Sequence, residues 1–176
     1  MGLSSGGAAL HEAAPENRAF DWGLGDEDTF ESAIKSAAHV VSCEIEDNRI
    51  IVNSMEPRGC YAEVEEGRVH VAINGQGVWA PKAQLAKHLN LDPEDIRVTN
   101  PDTGGGFGMK AMMYPEYAIC AAAARSLGKP VRWMSERTEA MLSDNAGRDL
   151  TSHVKMGFDA DHKLVAYKVH TTANMG

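Results

Sequence analysis

Four glycines among five residues, Gly104-Gly105-Gly106-Phe107-Gly108, follow the strand-like run Ile96–Asn100 and the break Pro101-Asp102-Thr103. No regular element survives that density of glycine, because each one adds backbone entropy and offers no side chain to pack. The chain must therefore cross from a strand to the next helix through a bare loop, with unobstructed main-chain N–H groups and access to positive φ. Such a loop suits an anionic ligand approached by backbone, and it equally suits an ordinary turn. Gly106-Phe107-Gly108-Met109-Lys110-Ala111 also fits the letters G-x-G-x-x-A of a dinucleotide site. That reading is weakened by Pro115, which starts the following helix well past the glycines, and by Glu136, which comes late for a ribose contact.

Around this loop the periodicities alternate. Asp26-Glu27-Asp28 opens a helix with Phe30, Ala33, Ile34 and Ala37 at helical spacing. Strands are expected at His39–Ile45, Arg49–Asn53, Gly59–Glu65 and Arg68–Asn74, with Glu66-Gly67 as a hairpin turn. Pro81 fits the first turn of a helix running to about Leu89. A third helix begins near Tyr114-Pro115-Glu116, carries Ala118 and Ala121 to Ala124, and ends at Gly128. Val131–Met134 reads as a buried strand, Glu136–Leu142 as a short helix, and Leu150–Asp159 with Leu164–Thr172 as a hairpin turning near Asp161. The fold class is α+β, with mixed β-sheets and packed helices. The Gly-, Ala- and Pro-rich residues 1–25 read as an extended N-terminal arm, and 26–176 as one domain. The chain stops four residues after its last strand, which reads as an internal piece of something longer.

Composition narrows the function. With 176 residues and 43% of them hydrophobic, the chain can bury roughly 70% of its unfolded surface and needs no disulfide staple. A net charge of −8 has the wrong sign for neutralising nucleic-acid phosphates. No apolar stretch approaches the roughly 20 residues of a membrane helix. The start Met1–Gly7 has neither a basic nor an apolar leader region, so a cytoplasmic location is expected. Gly2-Leu3-Ser4-Ser5-Gly6 fits G-x-S-x-G in letters only, with no strand before it. Cys43, Cys60 and Cys120 have no C-x-x-C spacing and read as reduced, mostly buried thiols. The seven histidines show no metal-ligand spacing, so no protein-ligated metal site is expected.

Five stretches, in order, carry a resemblance: Ser54-Met55-Glu56-Pro57-Arg58, Gly75-Gln76-Gly77, Pro101 through Lys110, Leu127-Gly128-Lys129-Pro130-Val131, and Gly147-Arg148-Asp149. Together they resemble the molybdenum-cofactor-binding large subunit of the xanthine dehydrogenase, aldehyde oxidase and aerobic carbon monoxide dehydrogenase family, across the first half of its molybdopterin-binding domain. The resemblance implies an oxidoreductase in which a molybdenum ion on a pterin hydroxylates an aldehyde, carbon monoxide or a heterocycle with oxygen from water. It implies electron transfer to 2Fe-2S clusters and FAD on other subunits or domains, and partnership with the remainder of the large subunit. It also implies that Gln76 hydrogen-bonds an oxo ligand of the metal, and that Gly105, Gly106, Phe107 and Gly108 line the cofactor, with the Phe107 ring at the access. The Arg58 segment is expected as surface near the site with a structural role, and Arg148 as an ion-pairing or interface residue. Where purine-oxidising members carry a substrate-binding glutamate, this chain has Ala111, which argues against xanthine. Met109 is expected to put a bulky side chain near the entrance. The family's general-base glutamate lies in the far C-terminal half of the subunit, and Glu56, Glu116 and Glu136 do not match its motif. This chain alone is therefore expected to be inactive. A function of another class, a stand-alone non-catalytic binding or assembly module of the same descent, fits the same residues.

Overall fold

The structure is a computed structural model and describes residues 8–174. The G-x-S-x-G letters at residues 2–6 and the leader reading at 1–7 lie outside the described residues. In chain order the elements begin with α1 (Glu27–Ser36), β1 (His39–Asp47), β2 (Ile50–Ile51), β3 (Gly59–Glu65), β4 (Arg68–Ile73), α2 (Trp79–Leu89) and β5 (Ile96–Thr99). They continue with α3 (Pro115–Leu127), β6 (Val131–Met134), α4 (Arg137–Ser143), β7 (Ala146–Gly147), β8 (Leu150–Phe158) and β9 (Leu164–Ala173). Helices and mixed sheets make the α+β class that the periodicities predict. The chain divides into two compact units, one of residues 1–48 with 148–176 and the other of residues 49–147.

In the first unit, β1, β8 and β9 form an antiparallel sheet in the order β1-β8-β9. Asp26 caps α1, its carboxylate accepting the N–H of Thr29 at 2.6 Å, as the acidic opening of that helix predicts. Phe30 and Ile34, one turn apart, bury against Ala166 of β9. The β8–β9 turn is held by Asp159, whose Oδ1 accepts the N–H groups of Asp161 and Lys163, both at 2.9 Å. Arg148 pairs with Asp47 at 3.1 Å. Of the three thiols expected to be mostly buried, Cys60 and Cys120 are buried and Cys43 is exposed on β1.

The second unit is built on a four-stranded mixed sheet in the order β5-β4-β3-β6. The β3–β4 hairpin turns through Glu66 and Gly67, both at positive φ (50° and 80°), the geometry a two-residue hairpin favours. The β4–β5 pair is parallel, so the chain must cross over between them, and α2 makes that crossover. Tyr117, Cys120, Ala121 and Ala124 of α3 recur at helical spacing and are buried against Cys60 and Ala62 of β3 and Val69, Val71 and Ile73 of β4. The alanines let helix and sheet approach closely. Gly128 closes α3 in the left-handed conformation, its N–H donating to Ala124 O at 3.0 Å. Val131–Met134 is not the buried strand that its composition predicts. It sits at the sheet edge beside β3 alone, so Val131 and Trp133 turn inward while Met134 is exposed. The run 49–53 keeps only two paired residues, because Asn53 takes a positive φ of 50° and ends the strand.

Candidate functional site

Three of the quoted stretches converge at one end of the four-stranded sheet. The first, Ser54 to Arg58, leads into β3. Ser54 is buried and its hydroxyl donates to Glu56 O at 2.7 Å, while Asn74 at the end of β4 accepts the Gly59 N–H at 2.9 Å and donates to Pro57 O at 2.8 Å. Arg58 corrects the surface expectation outright. It has no solvent exposure, bonds Asp144 at 2.5 Å and Glu116 at 3.1 Å, and lies 3.6 Å from the centre of the Tyr114 ring. Burial works against its charge, but the bonds from Asp144 and Glu116 outweigh that and hold the guanidinium more firmly protonated than usual.

The second stretch, Gly75-Gln76-Gly77, caps the end of β4 and is tied to the third. Gly75 O accepts from Asn100 Nδ2 at 2.8 Å and from Thr103 Oγ1 at 3.0 Å, and the Gln76 N–H donates to Lys110 O at 3.2 Å. Gln76 Oε1 accepts the Gly108 N–H at 2.9 Å. That bond fixes the amide orientation, since only the oxygen can accept, and turns the Nε2 donors away from Gly108. Among the described residues the Nε2 group has no partner.

The third stretch is the glycine loop itself. A Cβ built on Gly104 would lie 2.6 Å from Glu56 Cβ, so the loop lies this close only with glycine there, and one on Gly106 would lie 2.5 Å from Gln76 Cδ, so glycine there lets the Gln76 amide keep its place. Gly104 donates its N–H to Glu56 Oε2 at 2.8 Å and Gly108 donates to Gln76, as above. The N–H groups of Gly105, Gly106 and Phe107, between them, have no hydrogen-bond partner among the described residues. Phe107 holds a positive φ of 53°, unusual for an aromatic residue, and is 76% exposed. Met109 corrects another expectation: the short turn Met109–Ala111 directs it into the core of the unit, where it is 3% exposed, while Met112 after the turn is exposed.

Glu56 and Lys110 carry a part of the site that the sequence reading missed. Lys110 is buried and its ammonium meets Glu56 Oε2 at 3.0 Å. Burial pushes the Glu56 carboxyl up, and the Gly104 N–H, Lys110 and Asn74 together outweigh it, leaving its pKa below the ordinary 4.5. Both residues stand inside quoted stretches, but no spacing rule pairs positions 54 apart. Glu116 is taken by Arg58, and Glu136 forms a capping box with Glu139 at the start of α4.

What the loop offers is a run of three unpartnered main-chain N–H donors beside one fixed amide donor, with glycines where side chains would obstruct. This donor set fits an oxygen-rich, anionic group such as a molybdenum–pterin cofactor. No helix starts within the glycines, since α3 begins at Pro115, and the arrangement lacks the first-turn placement of a dinucleotide site.

Comparison with known proteins agrees. The chain is 30% identical over 148 residues to the nicotine 6-hydroxylase large subunit of Paenarthrobacter nicotinovorans, covering 83% of this chain and 18% of that protein. It is 27% identical over 162 residues to the carbon monoxide dehydrogenase large chain of Hydrogenophaga pseudoflava, covering 91% of this chain and 20% of that one. The solved carbon monoxide dehydrogenase from Oligotropha carboxidovorans matches with a TM-score of 0.75 at 25% identity, over 85% of this chain and 19% of that chain. The chain thus spans about a fifth of the length of the curated relatives it matches. Residues 10–176 match the molybdopterin cofactor-binding domain, and on that match the chain belongs to the molybdopterin cofactor-binding domain family.

Proposed function

We propose that this chain forms one wall of the molybdopterin site in the large subunit of a molybdenum hydroxylase acting on an aldehyde, carbon monoxide or a heterocycle. The observation that carries the proposal is the Gln76 amide, whose oxygen is engaged by Gly108 and whose nitrogen is left to donate. When bound, the molybdenum–pterin group would supply hydroxylation with oxygen from water, with 2Fe-2S clusters and FAD on partner subunits or domains as the electron carriers. Gln76 Nε2 would donate a hydrogen bond to that group without adding charge. The N–H groups of Gly105, Gly106 and Phe107 face the cofactor, and the Phe107 ring lines the way in. Ala111 leaves no carboxylate after Lys110 for a purine. The relatives named for nicotine and carbon monoxide suit the small or heteroaromatic substrates proposed here. The general base and most pterin contacts come from the remainder of the large subunit. Buried, reduced Cys60 and Cys120 suit a cytoplasmic enzyme.

The test is chemical analysis of the complete large subunit purified from a host that makes the cofactor. About one molybdenum and one pterin per subunit are expected. A subunit that folds and assembles with neither overturns the reading.

A further inference from the structure

The wall described above needs its loop held in one place, and a glycine-rich segment does not hold itself. Two side chains close it. Glu56 Oε2 accepts from the Gly104 N–H at 2.8 Å, at the start of the loop, and from Lys110 Nζ at 3.0 Å, at its end. The Glu56 N–H also donates to Gly104 O at 3.2 Å. One carboxylate oxygen thus ties together the two ends of the segment 104–110.

We infer that Glu56 and Lys110 are a positioning pair whose ion pair sets the course of the glycine loop and so presents the Gly105, Gly106 and Phe107 N–H groups. The inference rests on the reading that this loop faces the cofactor. Lys110 is fully buried on its side chain while Glu56 keeps 35% exposure. Burying an ammonium is costly, and an apolar residue of similar volume would serve stability as well or better. What the charge adds is direction: a single oxygen held by two donors from opposite ends of the loop has one place to stand. Lys110 also presents its carbonyl to the Gln76 N–H, so the residue that anchors the loop anchors the glutamine turn as well. Gly104 completes the arrangement, because any side chain there would displace Glu56.

The experiment is amide hydrogen exchange on the intact large subunit, resolved at Gly104 and Gly108, with molybdenum and pterin analysis of the same samples. Glu56→Gln leaves Lys110 buried without a counter-charge and is prone to unfold. The deciding variants are therefore Lys110→Met, which leaves Glu56 with access to solvent, and the double variant Glu56→Gln/Lys110→Met, which buries no charge. Both are expected to speed exchange at Gly104 and Gly108 by about tenfold or more while amides of β3, β4 and α3 stay within about twofold of wild type. Molybdenum content is expected to fall with the loop protection, and the double variant is expected to be no worse than Lys110→Met alone, because the two residues act through one bond. Loop exchange within about twofold of wild type in both variants overturns the inference. Faster exchange with full cofactor content overturns the claim that the pair serves the cofactor. A wild-type subunit empty of molybdenum and pterin is a different failure, that of the site reading, and leaves the exchange result to decide the pair.

Discussion

Arg58 and Asp144 stand 86 residues apart in the chain and meet at 2.5 Å in the interior, each almost without solvent. The same guanidinium lies 3.6 Å from the Tyr114 ring centre, and the Tyr114 hydroxyl donates to Met109 O at 2.9 Å and accepts the Asn145 N–H at 3.1 Å. One buried cation therefore joins the approach to β3, the end of α4 and the start of α3, and its aromatic partner reaches the foot of the glycine loop.

Replacing Arg58 by Met strands Asp144 as a buried, unpaired carboxylate. The loss is expected to be about 3–5 kcal/mol, the range seen when one partner of a buried pair is removed. The shift of the urea midpoint of the residue 49–147 unit within the intact subunit checks it. A change below about 1 kcal/mol would mean that the pair is solvated after all.

Gly106→Ala separates stability from function. The added Cβ would meet the flexible, exposed end of Gln76, which can swing outward, so the stability cost is about 1 kcal/mol, roughly one hydrogen bond. Gly104→Ala is expected to cost more, because the obstacle is Glu56 Cβ, close to the main chain. Thermal unfolding of both variants ranks them, and turnover of Gly106→Ala is expected to fall by about tenfold or more because Gln76 is displaced. Equal stability losses at 104 and 106 would contradict the geometry.

The acid response of the loop follows from Glu56. Its folded pKa is depressed, so the stabilisation it gives is fully present above the ordinary carboxylate value of 4.5 and is lost as pH falls through the lower folded value. The groups facing it are Lys110, the Gly104 N–H and Asn74. Protection of the Gly104 amide, corrected for intrinsic exchange, is expected to hold flat from pH 7 to about 5 and to fall below 4.5, with the step absent in the double variant Glu56→Gln/Lys110→Met, which buries no charge. A step centred near pH 6 would assign the control to another group.

The elements were legible where a local rule fixes them. Asp26 capping α1, Pro115 opening α3, Gly128 closing it and Glu66-Gly67 turning the β3–β4 hairpin each depend on residues within a few positions of one another. The errors lie where the environment decides. Val131–Met134 reads as buried because it is short and apolar, yet an edge strand needs only every second residue inside. Met109 follows the glycine loop and is expected near the entrance, but the turn after Gly108 points it into the core. The Glu56–Lys110 and Arg58–Asp144 pairs join positions 54 and 86 apart, and one sequence carries no rule for such distances. Gln76 and the glycines stood out through resemblance, and the bond between Gln76 and Gly108 is the geometry that resemblance alone did not supply.

The central claim is that the Gln76 amide works on the bound cofactor from a wall that the loop builds. Gln76→Ala in the complete, cofactor-replete enzyme tests it directly, by turnover measured against molybdenum content. The Gln76→Ala subunit is expected to fold and bind molybdenum and pterin with turnover lowered by about a hundredfold, the scale of losing one oriented donor at a reacting centre. Turnover per molybdenum equal to wild type would contradict it and remove Gln76 from the reaction.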